Sequence, residues 1–155
     1  KDLIGYRHNC QTCVAVYVAR RQGYDVSALP NLDNKNIYDL SHDTSLAYLN
    51  ENGEHPTRIN RPFGQSKQVF LDNTVKEGGI YSLQFGWRGR SSGHIVTAEK
   101  VNGNVRLYDP QTNKTYSGKE IASFLASTER HSIMDLTNVR MDESFCDKIM
   151  KRGKR

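Results

Sequence analysis

The sequence predicts an α+β fold in which helices are segregated from a small antiparallel sheet. One observation is an apolar run with helical spacing from about Cys10 to Gln22, followed by Gly23, where a helix end favours glycine. The other is Asn102-Gly103, which separates two runs of alternating apolar residues and is the strongest short-range signal for a β-hairpin. Together they predict a helix early in the chain and antiparallel strands in its second half.

The first predicted helix begins at a cysteine that could serve as a nucleophile. A thiol at a helix N-terminus meets unpaired backbone N–H groups and the positive end of the helix dipole, which favour the thiolate. With Asn9 as the N-cap, Cys10 occupies the first helical position. Cys13 is expected to face inward with the apolar stripe of the helix. We therefore favour Cys10 as the nucleophile and keep Cys13 as the alternative.

Three further elements are predicted for the middle of the chain. A helix is possible over residues 44–50, and His42 and His55 are expected to be exposed to solvent. A further helix is predicted within residues 64–76 and is closed by a pair of glycines. The strand that follows, over residues 80–86, is expected to be central in the sheet because of its apolar side chains.

The Asn102-Gly103 turn fixes the register of the predicted hairpin. His94 and Asp109 then lie diagonally on one face, about 7 Å apart at the backbone, a separation that their side chains can bridge. The sequence therefore predicts an orienting carboxylate for the histidine. The predicted cross-strand pairs are Val101–Asn104, Glu99–Arg106, Ala98–Leu107, Val96–Asp109 and His94–Gln111.

The C-terminal third completes the predicted fold. Ser117, followed three residues later by Glu120, has the spacing of a capping box and predicts a helix there. A last strand is predicted over residues 132–137. We expect one domain over residues 1–140 and a polar, basic tail over residues 141–155.

Each candidate residue also has an ordinary structural interpretation. Cys10 and Cys13 can pack as small apolar side chains. His94 can be a satisfied core histidine, and Asp109 can simply open a turn. The polar link before His94 can be a plain hairpin connection, or its Trp87 can cover the histidine–aspartate pair from solvent. A cysteine at a helix start combined with a His/Asp hairpin favours the catalytic interpretation, because a triad is recognised by roles and geometry.

Composition narrows the classes of protein to consider. The 155 residues, of which 36% are hydrophobic, suit one globular core. A membrane span is not expected, because the sequence has no run of about 18 apolar residues. The chain does not begin with Met, so we expect it to be a module of a larger protein.

Charge and cysteine content bear on partners and cofactors. Much of the net charge of +5 lies in the C-terminal tail, so nucleic-acid binding is not favoured, whereas an acidic protein partner would be attracted. Three sparse cysteines indicate reduced thiols and a cytosolic site of action. A zinc site would need further ligands at suitable spacing, and a thioredoxin-like site would need a preceding strand. No metal and no cofactor are therefore expected.

Four segments carry a family resemblance. The segments are Asn9-Cys10-x-x-Cys13, Arg20-Arg21-x-Gly23-Tyr24-x-Val26-x-Ala28-x-Pro30, Gly93-His94 and Tyr108-Asp109-Pro110-Gln111. They resemble the papain-like fold toxins of the glutamine deamidase type, and the resemblance covers most of the chain.

The resemblance implies a reduced cysteine-protease fold, with a cysteine-bearing N-terminal helix packed on a small antiparallel sheet that carries the histidine and aspartate. It places a catalytic triad on Cys10, His94 and Asp109. Papain-like proteases also have a C-x-x-C segment, in which the second cysteine attacks, and this would indicate Cys13. Family members are typically C-terminal effector modules of bacterial polymorphic toxins or phage head-associated proteins. We therefore expect secretion or phage delivery, a target protein in the reducing cytoplasm of another cell, and a cognate immunity protein.

The implied reaction converts a glutamine side chain of the target protein to glutamate. The oxyanion would be met by the Cys10 backbone N–H and one more donor, for which Gln111 and Asn9 are candidates. A cysteine peptidase or acyltransferase with the same triad is an alternative. A non-enzymatic binding module is another.

Overall fold

The computed structural model describes residues 10–30 and 34–153. The chain divides into two compact units, one comprising Lys1–Pro56 and Asn138–Arg155 and the other comprising Thr57–Thr137. Both units mix helices and strands, in agreement with the predicted class. In chain order the elements are α1 (Cys10–Arg21), β1 (Val26–Ala28), α2 (Lys35–His42), a 3₁₀ turn (Thr44–Ala47), β2 (Tyr48–Leu49), β3 (Arg58–Asn60), α3 (Lys67–Thr74), β4 (Ile80–Trp87), β5 (Gly93–Val101), β6 (Asn104–Asp109), β7 (Lys114–Ser117), α4 (Lys119–Ala126), β8 (Thr128–Asp135), β9 (Arg140–Met141), α5 (Glu143–Cys146) and β10 (Met150–Arg152).

Helix α1 begins at Cys10 and ends at Arg21, which confirms the predicted N-terminal helix. Gly23 follows at a φ of 97°, a left-handed conformation that glycine adopts without steric cost. The N–H of Tyr24 donates to the carbonyl oxygen of Ala19 at 3.0 Å, as in a Schellman closure. The buried side chains of the helix are Gln11, Thr12, Val14, Ala15, Val16, Val18 and Ala19.

Helix α2 has no counterpart in the sequence prediction. It begins after Asn34, whose side-chain Oδ1 accepts hydrogen bonds from two backbone N–H groups of the first turn at 3.0 and 3.3 Å. Its buried residues are Ile37 and Leu40, which are three positions apart and therefore share one face of the helix. With only two buried apolar residues, the periodicity was too weak to predict the helix.

Residues 44–50, predicted as a helix, instead form the 3₁₀ turn followed by β2. Asp43 caps the turn, and Tyr48 then adopts extended backbone at φ −127° and ψ 150°. Antiparallel pairing of β2 with β9 stops the helical turn from continuing. His42 and His55 are exposed, as predicted.

Residues 141–153, which the sequence analysis assigned to a tail, contain α5 and β10. Strand β10 pairs antiparallel with β1. Cys146, Ile149 and Met150 are buried, so the segment is held by apolar burial in addition to strand pairing.

The second unit is built on a six-stranded antiparallel sheet with the strand order β3-β8-β4-β5-β6-β7. Strand β4, predicted over residues 80–86, extends to Trp87 and lies inside the sheet as expected. The last strand of this unit, predicted over residues 132–137, begins earlier, at Thr128. The polar run that opens β8 gave no strand signal, although Thr128 and His131 are buried.

The β5–β6 hairpin has the predicted turn. Asn102 and Gly103 have positive φ values of 53° and 81°, as a type I′ turn requires. Arg106 and Glu99 lie opposite one another, with Nη2 and Oε2 3.9 Å apart. The register is confirmed for Ala98 opposite Leu107, Glu99 opposite Arg106, and Val101 opposite Asn104.

The two helices of this unit begin differently. Helix α3 has Ser66 as its N-cap, with Oγ accepting from the N–H of Val69 at 3.1 Å. The predicted cap of α4 at Ser117 is wrong, because Gly118 is the N-cap and has a positive φ of 56°. The Glu120 carboxylate still accepts from the Ser117 N–H, at 3.5 Å.

One hydrophobic core joins α3 and α4 to a single face of the sheet. Side chains at alternating positions of a strand point to the same face, which explains why alternating positions of the strands contribute. The core residues are Phe70, Leu71, Val75, Tyr81, Leu83, Phe85, Val96, Ala98, Val105, Leu107, Ile121, Phe124, Leu125 and Ile133.

No helix in residues 10–30 or 34–153 is long and apolar enough to span a membrane.

Candidate active site

A histidine and an aspartate meet at one end of the β5–β6 hairpin. The Nε2 atom of His94, near the start of β5, lies 2.7 Å from Oδ2 of Asp109, at the end of β6. The side chains are 13% and 7% exposed, so the pair is largely shielded from water. This contact is the one that the turn chemistry predicted.

The hairpin ladder is shorter than the predicted one. It ends where Thr97 lies opposite Tyr108, so the expected pairs Val96–Asp109 and His94–Gln111 do not form. The reason lies in Asp109, whose Oδ1 accepts from the N–H groups of Gln111 and Thr112 at 2.9 and 3.3 Å. This turn bends the chain away from β5 and towards β7.

The Asp109 carboxylate is therefore held from two sides. Its burial works to raise its pKa, but the hydrogen bond and positive charge of His94, with the two backbone N–H groups of the turn, outweigh burial and hold the pKa below its usual value. The carboxylate is accordingly ionised at neutral pH. An ionised acceptor at Nε2 favours the histidine tautomer that carries its proton on Nε2, so that Nδ1 is the basic nitrogen.

Two aromatic rings fix the plane of the His94 imidazole. Trp87 stacks on it, with ring centroids 6.1 Å apart and planes 15° apart. Phe85, directly across the strand pair, meets it edge-on with centroids 5.9 Å apart. Trp87 thus lies against one face of the histidine, whereas the sequence suggested a cover for the whole histidine–aspartate pair. Aromatic contact on two sides restricts rotation of the imidazole ring.

Gly93 allows the strand before His94 to come close to β4. A Cβ built on Gly93 would lie 2.5 Å from the carbonyl oxygen of Phe85, closer than real Cβ contacts. A side chain at this position would push the two strands apart immediately beside His94. The glycine therefore contributes to the position of the histidine.

The two N-terminal cysteines are less different than the sequence analysis expected. Both Cys10 and Cys13 are half-buried, whereas Cys13 was expected to face inward with the buried apolar stripe. Cys10 is the first residue of α1, where backbone N–H groups lack intrahelical acceptors. Its Sγ lies 3.4 Å from Oε1 of Gln11. Helix position, but not burial, separates the two thiols.

The third cysteine has a different environment. Burial, followed by the nearby carboxylates of Asp142, Asp147 and Glu143, raises the pKa of Cys146 to about 12. Its thiol is therefore protonated at neutral pH, and it lies 3.4 Å from the carbonyl oxygen of Ala47. Cys146 is unsuited to nucleophilic chemistry.

The two suggested oxyanion donors have different outcomes. Asn9 lies outside the described residues. Gln111 is half-buried, and its backbone N–H donates to Asp109, so only its side-chain amide could serve as a donor.

Within residues 10–30 and 34–153, no group of three or more His, Cys, Asp or Glu side chains is arranged to hold a metal ion.

A buried histidine outside this pair, His131, was missed by sequence reasoning. His131 is 3% exposed, and its Nε2 lies 2.7 Å from Oγ1 of Thr128. The Nε of Arg61 donates to its Nδ1 at 3.3 Å. Burial, then the charges of Arg61 and Lys67, lower the pKa of His131 to about 4. It lies before the predicted strand, in a polar run without periodicity, so nothing in the sequence distinguished it.

Comparison of the sequence with known proteins identifies a family. No curated protein matches the chain. A family model described as papain fold toxin 1, glutamine deamidase, matches residues 8–114, a range that includes Cys10, His94 and Asp109. The match spans more than half of the sequence. The chain therefore belongs to the papain fold toxin 1 family of glutamine deamidases.

Proposed function

We propose that this chain is a toxin effector domain that deamidates glutamine side chains of a target protein by cysteine-dependent hydrolysis. The observation that carries the proposal is the short His94–Asp109 contact, which lies within the region matched by the deamidase family. A histidine oriented by a buried carboxylate is the recurring partner of a cysteine nucleophile in acyl transfer. Cys10 is our choice of nucleophile because it stands at a helix N-terminus within the same match.

In this mechanism Asp109 is the orienting group for His94. It holds the proton on Nε2, so Nδ1 exchanges a proton with the Cys10 thiol and later with the leaving group. Stacking by Trp87 keeps the imidazole plane constant while its charge changes. The carboxylate also stabilises the imidazolium that forms when the thiol is deprotonated.

The reaction has two stages. The Cys10 thiolate attacks the side-chain amide carbon of the glutamine, and the imidazolium of His94 protonates the departing nitrogen, which leaves as ammonia. Water, deprotonated by His94, then attacks the thioester carbon, and the thiolate departs. The net reaction adds one water to the amide and yields glutamate and ammonium. The target thereby gains one negative charge.

The tetrahedral intermediates need donors for their oxyanion. The backbone N–H of Cys10 at the start of α1 is one proposed donor, because it has no acceptor within the helix. The side-chain amide of Gln111, or that of Asn9, is the proposed second donor. The proposed site of action is the reducing cytoplasm of a target cell, where the thiolate persists.

The experiment expresses the wild type, Cys10→Ala, Cys13→Ala and His94→Ala in cells and measures growth, followed by mass mapping of host proteins. His42→Ala, which removes an exposed histidine, is the matched control for His94→Ala. We expect growth arrest and glutamine-to-glutamate changes of about 1 Da from the wild type, Cys13→Ala and His42→Ala only. Loss of the general base should slow the reaction by about 10²–10⁴-fold.

Other outcomes would change the assignment. Cleaved host proteins without a mass change at glutamine would make the chain a peptidase, and an acylated product would make it an acyltransferase. Arrest that survives Cys10→Ala but not Cys13→Ala would move the nucleophile to Cys13. Arrest that survives Cys10→Ala, Cys13→Ala and His94→Ala alike would refute the enzymatic proposal and favour a binding module.

A further inference from the structure

The loop that leads from β4 to His94 is basic and held in place. We call residues 88–92 the basic loop. The N–H of Trp87 donates to the carbonyl oxygen of Ser92, and the N–H of Arg90 donates to that of Trp87, both at 3.0 Å. The N–H of Arg88 donates to Ser127, after the end of α4, at 2.9 Å. The backbone of the loop is therefore fixed at both ends and to a neighbouring helix.

Arg130 fastens the basic loop from the next strand. Its Nη2 donates to the carbonyl oxygen of Arg90 at 3.2 Å, and its Nη1 donates to the Glu129 carboxylate at 2.7 Å. The guanidinium lies over Gly86, where a Cβ would overlap it. Arg130 also has a positive φ of 57°, a conformation that costs a non-glycine residue free energy and persists where other contacts require it.

The charges of the basic loop are not neutralised within the described structure. Arg88 and Arg90 are exposed, and neither guanidinium has an ion pair or a hydrogen bond to another described residue. Lys67 lies close by: burial, then the charges of Arg88 and Arg61, lower its pKa. Glu129, the carboxylate whose charge acts on Lys67, is already paired with Arg130.

We infer that the basic loop is a docking surface for an acidic segment of the target protein, with Arg88 and Arg90 pairing with carboxylates close to the glutamine to be deamidated. This inference rests on the proposed function. The loop ends at Ser92, two residues before His94, so a segment that it binds lies beside the proposed reaction centre. Guanidinium groups match carboxylates with two parallel hydrogen bonds, and a backbone held by Arg130 lowers the ordering cost of binding.

A nucleic acid fits these observations less well. Single strands are bound by basic grooves that also offer aromatic faces for base stacking. The aromatic residue at this loop, Trp87, is instead stacked on His94 and packed against Phe85 and Phe124. The surface supplies fixed positive charge without a stacking platform.

The test measures peptide binding to the Cys10→Ala protein by fluorescence anisotropy. Three labelled peptides contain one glutamine flanked by glutamates, serines or lysines, and a labelled single-stranded DNA of similar length is the fourth probe. We expect the glutamate peptide to bind about tenfold more tightly than the serine peptide, with most of the difference lost in about 0.5 M NaCl.

The double variant R88Q/R90Q identifies the surface. It should bind the glutamate and serine peptides equally, whereas K76Q/R106Q, which removes two exposed positive charges at the opposite end of β4 and β5, should keep the preference. Equal binding of the glutamate and serine peptides by the Cys10→Ala protein, or an unchanged preference in R88Q/R90Q, would overturn the inference. DNA binding as tight as that of the glutamate peptide would also overturn it.

Incubation of the same peptides with the wild type separates this inference from the proposed function. A mass increase of about 1 Da at similar rates in all three peptides would support deamidation and overturn acidic selectivity. Selective binding of the glutamate peptide without any mass change would support the docking surface while counting against deamidase activity. Faster deamidation of the glutamate peptide, lost in R88Q/R90Q, would support both.

Discussion

Acidification is expected to destabilise the sheet-bearing second unit through His131. The Thr128 hydroxyl donates to the carbonyl oxygen of Leu125 at 2.8 Å, so it must accept from Nε2–H of His131. The N–H of Arg61 points at Nδ1, which must therefore be unprotonated. A second proton on this imidazole would place two donors face to face, close to Lys67.

The sign and size of the effect follow from the two pKa values. His131 has a pKa of about 4 in the folded chain, against 6.5 when unfolded, so the unfolded chain binds more protons between these values. The stabilisation is fully present above about pH 6.5 and is lost as the pH falls towards 4. Between about pH 7.5 and about pH 5 the loss amounts to about 2 kcal/mol in the free energy of unfolding.

Urea unfolding followed by tryptophan fluorescence measures this loss. Trp87 is the single tryptophan and belongs to the same unit as His131, so its emission reports the relevant transition. The control is His131→Gln, which keeps one donor and one acceptor but does not titrate. The wild type should lose about 2 kcal/mol more than His131→Gln between the two pH values. Equal pH dependence in the two proteins would refute the argument, since His131 is the only titratable side chain that differs between them.

Three further predictions concern single positions. Asp109→Asn should lower kcat for ammonia release by about 10²–10⁴-fold, because the carboxylate charge beside the His94 imidazole is lost, while the chain should still fold because the amide oxygen can accept the turn N–H groups; normal kcat would remove Asp109 from the mechanism. Gly93→Ala should cost about 1–3 kcal/mol in urea unfolding, because its Cβ meets the carbonyl oxygen of Phe85, and an unchanged midpoint would contradict the close approach. Ser66→Ala should cost about 1 kcal/mol in the same assay through loss of the α3 cap, and a cost near zero would show that water replaces the cap.

Local patterns explain which parts of the fold could be predicted. Helix α1 and the β5–β6 hairpin depend on signals within a few residues of one another, an apolar period closed by Gly23 and an Asn-Gly turn. The 3₁₀ turn in place of a helix over residues 44–50 depends on β9, about 90 positions later in the chain. No local window contains that pairing.

In the candidate site, too, contacts set by local sequence could be predicted and those set by other interactions could not. The contact between His94 and Asp109 could be predicted because a two-residue turn sets which residues are neighbours. The early end of the ladder could not, because it depends on the Asp109 side chain bonding to the backbone beyond it. The position of Arg130 over Gly86 joins residues 44 positions apart, and neither spacing nor composition indicates such a contact.

Asp109 bonds both to His94 and to the backbone of the turn that follows it, and these two contacts limit which residues can replace it during evolution. Asparagine can form the turn to Gln111 and Thr112 but brings no charge to His94. Glutamate brings the charge, but its longer side chain is poorly suited to a turn that closes two residues ahead. Relatives that replace this aspartate while keeping the chemistry should therefore need one compensating change, beside the histidine where asparagine stands here and in the β6–β7 connection where glutamate does. Under the proposed mechanism, a relative with asparagine here and no compensating charge is expected to have lost catalysis while keeping the fold.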